Sequence, residues 1–374
     1  MEPKKLKILL VYYEPFQSGQ TAHVLSLVQG LERHEYALTI VLPDFLKPAI
    51  EKFHQSGVQV YPLPIRKLVW QLEGVKRYFD LIRHENFDIV HIHSQEAGLT
   101  ARILTLVAGK KHIVYTPQTI DIRNSHLHWL YVLIERILST KTDRIISVNE
   151  IDRERLISWG IPAKKVVTIY NGIDLSQFDV ITDILSIRER LGLYSSSPLV
   201  MQIGRLSVQK DPFAFIDGAA MVLNKHPKTQ FVMVGDGPLR EDVETHIQAL
   251  GLEKQIKLSG WQQDAFKLIP AADIVTLTSR WEGTPYSLLE AMAWSKPVIS
   301  YKVNGCSEVV EDTITGFLVP VGATNTWASC IVELLEDPEM GRIMGNKGRQ
   351  RVESKFSICD MTNQIGILYD QVVK

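Results

Sequence analysis

The chain has 374 residues, more than one hydrophobic core usually organises, so we expect two domains. Hydrophobic residues make up 45% and charged residues 22%, which excludes a disordered chain. With 41 basic and 42 acidic residues the formal net charge is −1, so no global field favours nucleic acid and we expect no nucleic-acid partner. Any anion recognition must therefore be local.

Three cysteines are too few and too scattered for a disulfide framework or a zinc site of the usual spacing, and they indicate a reducing compartment. The start, MEPKKLKILLVYY, is interpreted as a first β-strand, because its apolar run lacks signal-peptide length and a small-residue cleavage site. No apolar stretch approaches the roughly 20 residues that span a bilayer. We therefore expect a cytoplasmic protein that at most lies peripherally on the inner membrane face.

Short β-branched runs alternate with helix-length amphipathic segments, beginning with KILLVYY (7–13), AHVLSLVQGLERH (22–34) and YALTIVL (36–42). This rhythm predicts parallel βαβ units. The further strands predicted for the first sheet are VQVYPL (58–63), DIVHIH (88–93), HIVYT (112–116), RIISV (144–148) and KVVTIY (165–170).

The stretch NGIDLSQFDV (171–180) interrupts this rhythm with an Asn-Gly turn signal and is interpreted as a linker. The rhythm then restarts and predicts a second doubly wound α/β domain. Its predicted strands are LVMQIG (199–204), TQFVMVG (229–235), QIKLSG (255–260), DIVTLT (273–278), PVISY (297–301) and GFLVP (316–320). Three helices are predicted to end the chain, at 326–337, 338–354 and 357–372.

Open parallel sheets bind ligands at the carboxyl ends of their strands, so the strand-to-helix turns are the candidate sites. In GRLSVQKDP (204–212), we expect Asp211 to cap a helix and Pro212 to occupy its first position. Arg205 and Lys210 then flank the positive end of that helix. Two fixed cations beside a helix terminus suit a diphosphate, and a solvated basic loop is the alternative.

The turn GDGPLRED (235–242) has glycines for close backbone approach, and Pro238 is expected to open a helix. Taken alone, this turn also fits a purely structural role. Gly204 and Gly235, each at the end of a predicted strand, are the glycines assigned to donor binding in these two turns.

The third turn is SRWEGTPYSLLEAMA (279–293). Thr284 is expected to cap the helix and Pro285 to occupy its first position. The amides of Tyr286 and Ser287 then point toward a bound anion.

Two carboxylates belong to the same turn, Glu282 before the helix and Glu290 inside it. Carboxylates repel a phosphate but accept hydrogen bonds from hydroxyl groups. A ligand with a central diphosphate and polyhydroxylated ends resolves this conflict, and a nucleotide sugar has that shape. A charged helix start with an unrelated surface glutamate is the alternative.

The pair Glu282 and Glu290, followed by AMAWSKPVI (291–299), resembles the signature of the retaining GT-B glycosyltransferases of family 4, the glycosyl transferases group 1. GRLSVQKD, VGDGP, AADIVTLTS and YNGID are also similar to that family and occur in its order. The resemblance implies two Rossmann-like doubly wound domains facing across a cleft. It places the acceptor side in residues 1–175, the donor side in 176–355, and a helix that crosses back to the first domain in 356–374.

By the same resemblance, Glu282 contacts the donor sugar, Glu290 the ribose hydroxyls, and Arg205 and Lys210 the diphosphate. Gly283 lies beside Glu282 in the donor-binding turn. The expected reaction transfers a hexose-type sugar from a UDP-sugar or GDP-sugar with retention, by front-face attack in which the departing phosphate receives the acceptor's proton. Stabilising the leaving group is the main catalytic effect.

The first half departs from the family pattern at two places. In SGQTAHVLSL (18–27), Ser18 replaces one of two usual glycines, while Gly19 still lets the backbone approach the diphosphate. His23 is interpreted as a helix-packing or capping residue rather than a catalyst. In YTPQTIDIRN (115–124), Gln118 stands where the family commonly has histidine. Glutamine cannot titrate, so it shuttles no proton, but it can still recognise a sugar 6-hydroxyl.

His91 and His93 share one face of a predicted strand, which permits either a metal pair or packed histidines. The sequence contains no Asp-x-Asp element to clamp a metal-bound diphosphate. We therefore expect no metal and no other cofactor, with positive groups and helix ends carrying the charge.

Two rival functions stay open at this point. A nucleotide-sugar epimerase or hydrolase on a similar fold needs no acceptor, and a nucleotide-sugar-binding protein shows no turnover. A dinucleotide oxidoreductase is disfavoured, because no strand leads into Gly-x-Gly-x-x-Gly.

The expected partners are a nucleotide-sugar donor and a sugar, lipid-linked or small-molecule acceptor. The segments 126–138 and 66–83 mix aromatic, aliphatic and basic residues, which suits membrane contact or, alternatively, buried helix faces. The sequence does not indicate the oligomeric state.

Overall fold

The chain folds into two units, and the description covers residues 5–14, 19–31, 35–66, 69–110, 112–120, 128–194 and 196–374 of a computed structural model. One unit comprises Met1–Gly172 with Ile358–Lys374, and the other comprises Ile173–Ser357. The points where the chain enters and leaves the second unit are adjacent, because the N–H of Ile173 donates to the carbonyl of Phe356 at 3.0 Å.

The N-terminal unit is built on a parallel sheet. Its strands are β1 (Leu6–Val11), β2 (Tyr36–Pro43), β3 (Gln59–Leu63), β6 (Ile89–His93), β7 (Ile113–Thr116), β8 (Arg144–Ser147) and β9 (Val166–Thr168), with a separate antiparallel pair β4 (Ile65–Arg66) and β5 (Val69–Trp70). Its helices are α1 (Gly19–Gly30), α2 (Lys47–Gln55), α3 (Leu72–His84), α4 (Gln95–Val107), α5 (His128–Ser139) and α6 (Glu150–Ser158). The strand order is β3-β2-β1-β6-β7-β8-β9.

The C-terminal unit repeats this plan with six parallel strands. They are β10 (Leu199–Ile203), β11 (Gln230–Val234), β12 (Ile256–Gly260), β13 (Ile274–Leu277), β14 (Val298–Tyr301) and β15 (Gly316–Val319). The remaining helices are α7 (Ile184–Arg190), α8 (Pro212–Lys225), α9 (Arg240–Ala249), α10 (Tyr286–Ala293), α11 (Asn304–Val309), α12 (Thr324–Glu336), α13 (Pro338–Lys355) and α14 (Ile358–Val373). The strand order is β12-β11-β10-β13-β14-β15, so the sequence order of the strands reverses between β10 and β13, although all strands are parallel.

The predicted strands of both sheets are confirmed to within two residues at each end. The β4–β5 pair was missed, because two-residue strands carry no detectable periodicity. Both sheets pair in parallel, as βαβ connections require. The doubly wound α/β class is therefore confirmed for each unit.

The last helix, α14, belongs to the core of the N-terminal unit. Ile365 and Tyr369 are fully buried in a cluster with Ile8, Leu10 and Val24 of β1 and α1. Residues Ile358–Lys374 are thus part of the same hydrophobic core as the first strand.

A buried ion pair joins α4 to α5 on the opposite face of that sheet. The guanidinium Nη2 of Arg102 lies 2.6 Å from Oε1 of Glu135, and the two side chains are 0% and 2% exposed. Arg102 also lies over the ring of Tyr115 in β7, 3.9 Å from its centroid. A buried pair of this kind costs several kcal/mol when one partner is lost, about 3–5 kcal/mol, so it holds both helices in one orientation on the sheet.

Within the part of the chain that the structure describes, no helix is both long and apolar enough to cross a bilayer.

Candidate active site at the carboxyl edge of the second sheet

Turns that follow neighbouring strands meet at one edge of the C-terminal sheet, because all of its strands run in parallel. A side chain at Gly235 would place its Cβ 2.0 Å from the carbonyl oxygen of Gly204, so the turns after β10 and β11 touch through their backbones. A Cβ at Gly305 would lie 1.3 Å from the carbonyl oxygen of Gly283, which brings the start of α11 equally close to the turn after β13. Only glycine fits such approaches.

Lys210 and Glu282 form an ion pair between the turns after β10 and β13. Nζ of Lys210 lies 2.5 Å from Oε1 of Glu282, and both side chains are largely buried. The aliphatic stem of Lys210 lies over Gly204, 3.3 Å from where a Cβ of that residue would be. The structure thus brings together a cation and a carboxylate that the sequence places in separate motifs.

Hydrogen bonds beneath this pair fix the two turns to each other. The hydroxyl of Thr278 is 2.9 Å from the carbonyl oxygens of both Lys210 and Asp211. The N–H of Arg280 donates to the carbonyl of Gln209 at 2.8 Å. The Lys210–Glu282 pair therefore stands on a framework of backbone contacts rather than on two independent flexible loops.

Asp211 has a different role from the one the sequence suggests. Pro212 is the first residue of α8 and Asp211 holds the N-cap position, but its side chain makes no cap hydrogen bond. The residue is left-handed, with a φ of 45°, and its Oδ2 accepts from Nε of Arg280 at 2.8 Å. The expected cap is wrong in this respect, because the carboxylate is bound by the neighbouring turn.

The start of α10 also differs from the prediction. Pro285, with φ −74° and ψ 114°, is the N-cap residue and Tyr286 is the first helical residue, so the expected capping by Thr284 is wrong. The reason is that the carbonyl of Pro285 already accepts from the N–H groups of Leu288 and Leu289. The N–H groups of Tyr286 and Ser287 lie in the first turn of α10, where no carbonyl of the same helix can accept from them.

Glu290 lies one turn into α10 and is partly buried. Desolvation raises the pKa of its carboxyl to about 7, and the negative charge of Asp264 adds to the shift. Asp264 precedes a 3-10 helix at Ala265–Ala271 and has a left-handed φ of 53°. Asp264 was not predicted from the sequence, because it lies in an irregular turn after β12.

Arg205 lies against the turn after β11. A Cβ at Gly237 would be 2.9 Å from Cγ of Arg205. Pro238 does not open a helix there, contrary to the prediction, because α9 begins at Arg240 with Leu239 as its N-cap. The N–H of Leu239 instead donates to the carbonyl of Leu206, which binds the two turns together.

The candidate donor residues of the N-terminal unit lie at the carboxyl edge of their own sheet. Gly19 is the first described residue of α1, while Ser18 and residues 121–127 lie outside the described residues. Gln118 follows β7 with a left-handed φ of 68° and is 8% exposed, and its amide nitrogen has no hydrogen-bond partner among the described residues. A strained, buried, unpaired amide is a typical ligand-facing group.

The two strand histidines stack on each other, with ring centroids 3.9 Å apart. Nδ1 of His91 is 2.6 Å from the hydroxyl of Tyr369, and its Nε2 is 2.8 Å from the hydroxyl of Thr116. Burial lowers the pKa of His91 and of His93 well below the usual value, and nearby histidines add to the shift. Burial also lowers the pKa of His23 to about 4. Desolvation therefore favours the uncharged form of all three rings.

Two family models match the chain. The model for Glycosyl transferases group 1 matches residues 183–351, and the model for Glycosyltransferase Family 4 matches residues 17–177. The chain belongs to the GT-B glycosyltransferases of group 1. It is thus a glycosyltransferase of the GT-B type with a nucleotide-sugar donor.

Individual relatives extend this likeness over the full length. The UDP-Gal:alpha-D-GlcNAc-diphosphoundecaprenol alpha-1,3-galactosyltransferase of Escherichia coli is 27% identical and covers 99% of this chain and 98% of its own length. The alpha-D-kanosaminyltransferase of Streptomyces kanamyceticus is 28% identical over 82% of each chain. The solved structure of HepE from Anabaena in complex with UDP and glucose has a TM-score of 0.86 at 22% identity, covering 98% of this chain and 100% of that one. It shares the fold.

Replacing Gly305 by alanine tests the close approach of α11 to the turn after β13, which contains Glu282 and Gly283. We expect the free energy of unfolding to fall by about 1–3 kcal/mol, because the new methyl group must displace the Gly283 carbonyl. Guanidinium denaturation measures the change. Gly341→Ala is the matched control in α13, where the Cβ meets its nearest atom at 3.5 Å, and it should gain about 0.5–1 kcal/mol. Equal stability of the two variants contradicts the described packing.

Proposed function

We propose that this glycosyltransferase moves a hexose-type sugar from a nucleotide diphosphate donor to an acceptor hydroxyl, with retention of configuration and without a metal ion. The observation that carries the proposal is the buried Lys210–Glu282 pair, with Glu282 in the turn that leads into α10 and the partly buried Glu290 inside that helix. A cation and two carboxylates in this order match a diphosphate between two polyhydroxylated groups.

The ion pair explains how the site holds opposite charges before the donor arrives. Glu282 is nearly inaccessible to water, so its carboxylate needs Lys210 as a partner. We infer that the donor diphosphate takes over Lys210, and that the hydroxyl groups of the transferred sugar then replace the ammonium at Glu282. The positive end of α10 and Arg205 supply further stabilisation of the phosphate charge.

The reaction follows from these assignments. The bond between the anomeric carbon and the β-phosphate oxygen breaks, while the acceptor oxygen forms a new bond on the same face of the sugar. The acceptor's proton passes to the departing phosphate oxygen. Lys210, Arg205 and the helix amides stabilise the negative charge that accumulates on this leaving group. Glu282 orients the sugar and stabilises its positive charge but forms no covalent bond.

The metal-free character of the proposal rests on the composition of the site. Lys210 and Arg205 provide positive charge where other enzymes use a cation. We therefore propose that the assays below run equally well in excess EDTA.

The names of the relatives suggest the finer identity of the substrates. The E. coli relative uses a UDP-linked hexose and a sugar on diphosphoundecaprenol. We propose a UDP-hexose as donor and a lipid-linked sugar as acceptor, with the acceptor bound by the N-terminal unit. The unpaired amide of Gln118 is assigned to a hydroxyl of the transferred sugar.

Removing the two glutamates separately tests the proposed roles. Glu290→Ala should weaken UDP-hexose binding about 10- to 100-fold, because two hydroxyls lose a charged acceptor. Glu282→Ala should leave binding nearly unchanged but lower kcat about 100-fold, because its effect is largest in the transition state. Calorimetric binding and product formation with a lipid-linked acceptor measure the two effects. Release of free sugar without acceptor, or binding without any turnover, would instead support the hydrolase or the binding protein.

The raised pKa of Glu290 predicts a pH dependence of donor binding. Ribose hydroxyls donate best to the ionised carboxylate, so affinity for a UDP-hexose should rise about tenfold between about pH 6 and about pH 8. Protonation favours the folded state of the free protein, and this contribution should be lost as the pH rises through about 7. Glu290→Gln should show neither dependence. If the affinity of the Glu290→Gln variant for the UDP-hexose still rises with pH as in the wild type, Glu290 does not bind the donor.

A further inference from the structure

Helix α5 exposes an apolar stripe that the proposed reaction does not use. Trp129, Leu133 and Ile137 follow one another at four-residue spacing and are 64%, 44% and 59% exposed. The neighbouring helix α4 exposes Ile103 and Val107, also four residues apart. Soluble proteins rarely expose contiguous apolar side chains in this way without a partner.

The buried Arg102–Glu135 pair fixes the orientation of this surface. Glu135 lies on the inward side of α5, and Leu138 and Ser139 are buried with it. Residues 133 and 137 therefore lie on the opposite side by helical geometry. Turning the stripe inward would expose this ion pair, so burial of the pair favours the outward orientation of the apolar side chains.

A basic cluster lies at the carboxyl end of the same helix. Nζ of Lys165 donates to the carbonyl groups of Ser139, Thr140 and Thr142, at 2.8, 3.0 and 2.8 Å. Lysine here satisfies the free carbonyls that end the helix.

Further cations surround Lys165. Its pKa is lowered first by desolvation, with Asp143 opposing the shift, and then by the positive charges of Arg144, Lys164 and Lys141. Lys141 and Lys164 are exposed, as is Arg136 within α5. The one acidic residue of α5 is the buried Glu135, so the exposed face of this helix carries only apolar, neutral and basic groups.

The C-terminal unit provides an instructive contrast. Ile184 and Leu185 of α7 are 44% and 64% exposed, the same values as Leu133 and Trp129. Their neighbours are Asp179 and Asp183, which an anionic surface would repel. Exposed apolar area alone therefore does not distinguish the two helices, whereas the flanking charge does.

We propose that the α5 stripe and its basic cluster dock the N-terminal unit on an anionic lipid bilayer. Apolar side chains on one face of a helix enter the boundary between headgroups and acyl chains, and tryptophan prefers that level. Lysine and arginine at the end of the helix attract anionic headgroups. The chain has almost no net charge, so this local arrangement, rather than the global field, supplies the attraction.

Docking does not depend on the proposed reaction, although it would bring the unit that we assign to the acceptor to the surface where lipid-linked sugars reside. The apolar stripe fits a second copy of the chain less well, because a two-fold contact would place the basic clusters of both copies in one interface.

Vesicle sedimentation of the full chain tests the proposal. We expect binding to vesicles of phosphatidylcholine mixed with phosphatidylglycerol, weak binding to phosphatidylcholine alone, and release by high salt. Trp129→Ser with Leu133→Ser and Ile137→Ser should weaken binding at least about tenfold. Lys141→Gln and Lys164→Gln should each weaken it about fivefold on the anionic vesicles only.

Ile184→Ser with Leu185→Ser is the matched control and should bind vesicles like the wild type, because it removes equally exposed apolar groups beside acids. Thermal shift with a UDP-hexose shows that each variant is folded, independently of the vesicles. The proposal is overturned if the wild type does not sediment, if control and stripe variants lose binding equally, or if sedimentation velocity shows that the stripe instead holds a dimer.

Discussion

The ion pair between Lys210 and Glu282 joins two turns that lie 72 residues apart in the sequence. It exists because β10 and β13 are parallel neighbours, so their carboxyl ends bring both turns to one edge. Glycines let the backbones of these and the adjoining turns touch, and a hydroxyl of Thr278 ties them from below. The charge distribution of the candidate site depends on this one constraint of parallel topology.

The sheets were well predicted from the sequence, because buried parallel strands contain apolar runs such as 231–234 and their helices follow in fixed order. Local detail was less predictable. The sequence predicts Thr284 as the N-cap of α10, whereas Pro285 is the N-cap in the structure. This one-residue shift of the helix start is set by the backbone φ and ψ angles, which the sequence pattern does not determine. Asp211 was expected to cap α8, but a long-range partner, Arg280, binds its carboxylate.

Two residues of the site, Asp264 and Gly305, were not predicted, for different reasons. Asp264 reaches Glu290 only through the three-dimensional fold, so no spacing reveals it. Gly305 was predictable, because an Asn-Gly pair follows the strand PVISY, whose carboxyl end lies beside the turn that contains Glu282. Ligand-binding turns follow the carboxyl ends of parallel strands, and this turn is one of them. The exposed face of α5 was identified only in the three-dimensional structure, because helical periodicity does not show whether the apolar side of a helix is buried.

A structure of the protein crystallised with a UDP-hexose tests the central claim most directly. The account predicts diphosphate oxygens about 3 Å from Nζ of Lys210 and from the first amides of α10, with the ribose on the carboxylate of Glu290 and the Lys210–Glu282 contact opened. A nucleotide bound elsewhere, with that ion pair intact, would contradict it.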